Sequence, residues 1–220
     1  MLSDFKSNPL EDDMKEWTKL PPTAVIEKTV AALAANGIEA QVVADAAEAR
    51  KRVAALVPAG AEVFTQVSQT LEATGIAKEL NESGRYTSVR AALNGMNPQA
   101  QAREMRKLGA APDVTVGSAH AVTEGGTVIV ASLTGSQLPA YAYGAGTVIW
   151  VVGAQKIVKD VEEGMRRLTE HVVPLESARA RKAYGLPESF STFPSKVLLF
   201  TREVQPGRVK MIIVNQALGF

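Results

Sequence analysis

The chain has 220 residues, no cysteine, two histidines, and 24 basic against 23 acidic side chains. Zero cysteine excludes disulfides, thiolate catalysis and an iron–sulfur cluster held by the chain's own thiolates, and two histidines exclude a histidine-rich metal site. The two charge signs are mixed evenly along both halves, which excludes a nucleic-acid footprint.

The first residues, Met1 to Leu20, are acidic and lack the apolar core of a secretory signal. No run reaches the eighteen or so apolar residues of a membrane span. A cytoplasmic protein with small-molecule partners is the expectation. Residues 1–22 read as a leader or helical appendage closed by Pro21-Pro22, and residues 23–220 as one α/β domain.

Thr23 opens a predicted helix carrying Ile26, Val30 and Leu33, stopped at Asn36-Gly37. Ile38, Ala40 and Val42 alternate with polar residues, the pattern of a half-buried strand near an edge. Asp45 caps the next helix, with its stripe of Ala49, Val53, Leu56 and Val57. Ala61 to Val67 is the next strand. Gln69 to Leu80 and Ser88 to Leu93 are short helical pieces, and Pro98 to Leu108 is a helix entered through Asn97.

Asp113 to Val116 opens the second half as a strand. Thr127 to Ala131 and Thr147 to Val152 are apolar and β-branched without alternation, which predicts central strands covered on both faces. Asp160 to Ala183 is a long helix with a stripe of Val161, Met165, Leu168, Val172 and Leu175, interrupted by Pro174. Arg166-Arg167 falls on its polar side and reads as surface. Strands at Val197 to Thr201 and Val209 to Val214 flank a Pro206-Gly207 turn. Alternating helix and strand give a three-layer, Rossmann-like sheet with helices on both faces.

Ligands of such sheets bind beyond the carboxyl ends of the strands, and three segments fall there. Ser68 or Thr70 caps a helix after a strand and offers hydroxyl and amide donors. Gly117 to Thr127 holds Ser118 and His120, and Gly125-Gly126 make a turn presenting Glu124 before a buried strand that starts at Thr127. A carboxylate there suits a general base or an acyl-accepting nucleophile, with His120 on the same face if the piece is extended; a plain polar hairpin is the alternative. Thr134, Gly135 and Ser136 form a small-residue cradle for an anion or carbonyl, and Lys156 adds positive potential at the same edge or is simply solvated. No GxGxxG or GxxxxGK pattern occurs, so neither a dinucleotide fingerprint nor a P-loop is present.

From Pro112-Asp113 onward the chain resembles a known family. Gly117-Ser118-Ala119, the stretch Ala121-Val122-Thr123-Glu124-Gly125-Gly126-Thr127, Leu138-Pro139, the strand Ile149 to Gly153 and Lys156-Ile157-Val158 follow one pattern. It is that of the lactate-utilisation (LUD) domain family, in particular its protein C type. The resemblance spans about residues 23–220. It implies a fold similar to glucosamine-6-phosphate deaminase, ribose-5-phosphate isomerase and the CoA transferases. It also implies a non-redox accessory role in lactate or related organic-acid metabolism, with a small organic acid or phosphate as ligand. Iron–sulfur proteins of a lactate-oxidising system are the partners it suggests, and the apolar end Ala217 to Phe220 reads as a docked terminus or as part of an interface with a second copy of the chain.

The end of the chain departs from the lactate-operon pattern, with Phe193-Pro194-Ser195-Lys196 followed by Val209 to Phe220. No cofactor is expected, so the chain is not by itself a complete lactate dehydrogenase. The alternative function is an enzyme acting on a sugar phosphate or an acyl-CoA, with Glu124 and His120 as its catalytic pair.

Overall fold

The computed structural model describes residues 17–220, so the leader expected over residues 1–22 lies almost wholly outside the described residues. Among the described residues ten strands form two sheets. The strands are β1 (Glu39–Val43), β2 (Glu62–Thr65), β3 (Thr87–Ser88), β4 (Val114–Gly117), β5 (Ala121–Thr123), β6 (Val128–Ser132), β7 (Thr147–Gly153), β8 (Ile157–Val158), β9 (Lys196–Phe200) and β10 (Val209–Val214). The larger sheet is parallel throughout, in the order β1-β10-β7-β4-β2-β3. The smaller has the order β8-β5-β6-β9 and is mixed.

The pleat of β7 explains its unbroken apolar run. Val148, Trp150 and Val152 point to one face and pack with Leu33, Met211 and Ile213, and with Val122, Val128 and Phe200 of the smaller sheet. Ile149 and Val151 point to the other, against Val53, Leu71, Ile76 and Leu80 of the helices Ala46–Leu56, Gln69–Ala73 and Ile76–Glu82. A strand buried on both faces has no polar positions to alternate with. The Rossmann-like arrangement therefore holds, and β1 lies at an edge as its alternation predicts.

The smaller sheet is what the sequence reading lacked. It covers one face of the large sheet beside the helix Thr23–Ala35, and β6 is interior to it, between β5 and β9. Its outer face is covered in turn by the C-terminal helices. Ala121, Ile129 and Val158 meet Trp17, Val161 and Met165 there, and Ala131 meets Leu168 and Val172.

The predicted long helix is three segments. Asp160 caps the first, accepting from the Glu163 amide at 3.0 Å. An α-helix, Val161–Arg167, runs through a π-turn at Leu168–Val172 into a second α-helix, Val173–Tyr184. Pro174 has no N–H to give the i−4 carbonyl, and the wider turn just before it takes up the break. The helix predicted from Pro98 begins instead at Ala102, because the Asn97 side chain accepts from the Gln99 and Ala100 amides and holds a turn there. No described helix is long and apolar enough to cross a membrane.

Candidate functional site

All six strands of the large sheet run the same way, so their carboxyl ends share one edge. The segments after β2, β4 and β7 meet there, and the loop after β6 joins them. The C-terminal helices and the loop leading to β9 form the facing wall. Between the two walls lies a pocket of about 490 Å³.

Lys156 lies in the turn after β7, lines this pocket and is 1% exposed. Its ammonium donates to Thr70 Oγ1 at 3.0 Å, Ser118 Oγ at 3.2 Å and the carbonyls of Ala119 and Phe220 at 3.2 and 3.0 Å. Its three N–H groups are shared among these four acceptors, none of which is an aspartate or glutamate side chain. Burial first, and the neighbouring Arg167 charge second, hold Lys156 well below the usual lysine range.

Arg167 overturns the surface reading of Arg166-Arg167. It is fully buried, and Nη1 donates to the His120 carbonyl. Its Nε and Nη2 have no hydrogen-bond partner, and burial lowers it to about 10. His171, in the π-turn, is also buried, and its Nδ1 is unpartnered. Burial, then Arg167 and Lys156, pull His171 down to about 4. Among the described residues no aspartate or glutamate pairs with Lys156 or Arg167.

His120 lines the pocket, half-buried. The Ala131 amide donates to its Nδ1 at 3.1 Å. A backbone N–H can only donate, so Nδ1 carries no proton and the proton of the neutral ring sits on Nε2. Burial, then Lys156 and Arg167, pull the ring down to about 3. His120 is thus a neutral donor through Nε2.

Other predicted residues divide between pocket and scaffold. Ser68 lines the pocket and also caps its helix, accepting from the Leu71 amide. Ser118 and Thr134 line it too. Thr70 is buried behind, donating to the Leu218 carbonyl while accepting from Lys156. Gly117 is there for packing, since a side chain would overlap the Tyr141 hydroxyl. Gly135 and Ser136 close a local turn, in which the Gly135 amide donates to Ser132 Oγ and Ser136 meets Thr134.

Glu124 and Thr127 lie outside the lining of this pocket. The β5–β6 connection is a hairpin turn, and Glu124 is not among the residues lining the pocket. Its carboxylate pairs with Lys28 of the first helix at 2.7 Å, with the Lys28 side chain 65% exposed. The Thr127 amide donates to Thr123 Oγ1 within the turn. The hairpin curls toward the Thr23–Ala35 helix, which turns Glu124 away from His120.

Sequence reasoning missed Arg167 and His171. Gly164, Arg167, Leu168 and His171 follow an i, i+3, i+4, i+7 spacing and are all buried, so they form the helix's inner face. Gly164 was the available signal, because it lies against Ile129 and Ala121 where a larger side chain would not fit. That contact fixes which face looks inward.

A model of the LUD domain, a family associated with lactate utilisation, matches residues 26–214. Among solved structures, a DUF162 family protein from Deinococcus radiodurans is similar with a TM-score of 0.54 and 17% identity, over 90% of this chain and 100% of that one. At that identity the likeness speaks for the fold. No curated protein sequence matches. The family match runs from within the first helix to the end of β10 and takes in both sheets and every residue lining the pocket but Phe220; the chain belongs to the LUD domain family.

Proposed function

We propose that this chain is a non-redox accessory protein of lactate or related organic-acid metabolism, and that its pocket holds the carboxylate of an organic acid. The observation that carries the reading is Lys156, a buried ammonium in the pocket wall with no aspartate or glutamate beside it. A buried charge without a counter-charge is costly, and an incoming anion offsets that cost. Ser68, Ser118 and the Nε2–H of His120 supply neutral donors that orient the carboxylate without adding charge. Oxidation of the acid belongs to iron–sulfur partner proteins in this reading. The enzyme alternative built on Glu124 loses its support, since that carboxylate is paired with Lys28 outside the pocket.

The test is titration calorimetry of the full chain with a panel of monocarboxylates, including lactate and pyruvate. Binding should take up protons, because an anion beside Lys156 raises its affinity for a proton. Lys156→Met should abolish it. If no carboxylate binds, or if the variant binds as well as the wild type, the reading is wrong.

A further inference from the structure

The pocket, at about 490 Å³, has more room than the six heavy atoms of lactate fill. The surplus space has a definite chemistry. One wall, from the strand ends, supplies Ser68, Ser118, His120 and Lys156. The facing wall, from the helices and the loop to β9, supplies Leu168, Val172, Val173, Leu186, Phe190 and Phe193.

Two further observations sharpen this. Val67, Leu133, Tyr184 and Phe193 all line the pocket, yet each is at least 40% exposed. Exposed apolar side chains gathered around one opening mark a binding site rather than chance. The other charges in the lining cancel: Glu176 and Arg179 form a two-pronged pair with both contacts at 2.6 Å. Lys156 is the one lysine or arginine among the described lining residues without an aspartate or glutamate partner.

Resting on the organic-acid reading, we infer that the ligand is a monocarboxylic acid with an aromatic or medium-chain apolar body, its carboxylate on the Lys156 wall and its body against the Val172–Phe193 wall. One lysine, with the hydroxyls of Ser68 and Ser118 and the His120 ring beside it, suits a single carboxylate. The apolar wall rewards carbon that lactate does not have.

The experiment compares lactate, 3-phenyllactate, octanoate, the uncharged 3-phenylpropane-1,2-diol and glucose 6-phosphate as probes on the full chain. 3-Phenyllactate and octanoate should bind tighter than lactate, on the order of ten- to a hundredfold, the gain from burying a phenyl or alkyl group. Phe193→Ser and Tyr184→Ser, both at exposed positions that leave the core intact, should erode that gain. Lactate binding as tightly as 3-phenyllactate, or glucose 6-phosphate binding tightest, would overturn this inference while leaving a Lys156-dependent anion site. The diol binding as well as 3-phenyllactate would instead remove the anion reading itself, whether or not Lys156→Met folds.

Discussion

Lys156 and Thr70 stand 86 positions apart in the chain, and Lys156 Nζ lies 3.0 Å from Thr70 Oγ1 in a fully buried contact. Thr70 in turn donates to the Leu218 carbonyl, and Gln155 Nε2 donates to the carbonyls of Leu218 and Gly219. Segments after β2, β7 and β10 are therefore tied together at the point where the lysine enters the pocket.

The buried lysine should leave its mark on stability as a function of pH. The fold disfavours its charged form, so the folded chain releases this proton below the ordinary value of 10.5. Between the folded value and the ordinary one, the unfolded chain holds more protons, and stability rises with pH. Urea denaturation of wild type and Lys156→Met across that range should show a rising difference in favour of the wild type. Parallel curves would mean that the ammonium is not under strain.

His171 predicts the behaviour in acid. Its ring stays neutral in the fold down to about 4, against an ordinary 6.5. As pH falls through that window the unfolded chain gains a proton that the folded chain refuses. Stability should drop by about 1.4 kcal/mol per pH unit for this group, with His120 adding a similar slope down to about 3. His171→Asn should flatten the profile between pH 6.5 and 4, as read from urea midpoints.

Much of this architecture was legible in the sequence, and the limits have physical causes. The β7 run declared a doubly covered strand because no polar residue interrupts it, and β10 appears with the bounds expected, Val209–Val214. The edge position of β1 followed from its alternation. The second sheet was not legible, since β5 has three residues and β8 two, too short to carry a period. Lys156 was visible as a residue, but the fate of a lysine after a strand depends on what folds over it. Glu124 misled for a related reason. Period-two reasoning from His120 runs through the extended Ala121–Thr123, but Glu124 itself opens the turn, where its carboxylate meets Lys28.

Glu124→Gln should leave ligand binding untouched. The pair with Lys28 is open to solvent on the lysine side, and such pairs contribute about 0–1 kcal/mol. Calorimetry and a thermal melt on the variant check both halves. A loss of binding would return Glu124 to the site.

Arg208 and Glu203 form an ion pair with both side chains under one-tenth exposed. Arg208 also donates to the carbonyls of Ala140, Tyr141 and Ala145, which sets the turn placing Tyr141 in the pocket wall. Glu203→Gln should cost about 3 kcal/mol, because it strands a buried guanidinium. Chemical denaturation measures it, and a cost under 1 kcal/mol would show that the carbonyls suffice.

Gly126 sits in the hairpin turn at φ +82°, and a Cβ there would lie 2.8 Å from the Ala32 carbonyl carbon. Gly126→Ala should destabilise by about 2 kcal/mol or more, from the left-handed backbone and the clash together. A thermal melt showing no loss would mean that the turn and helix can part freely.

That same turn has a consequence for motion. Asn36 donates to the Gly125 carbonyl, Lys28 grips Glu124, and the Gly126 backbone rests on Ala32, so the tip of the smaller sheet is fastened to a helix of the larger one. The two sheets cannot breathe independently while this fastening holds. Amide hydrogens in β6 and β7 should then exchange with deuterium through one shared opening, with matching protection that rises and falls together as denaturant is added.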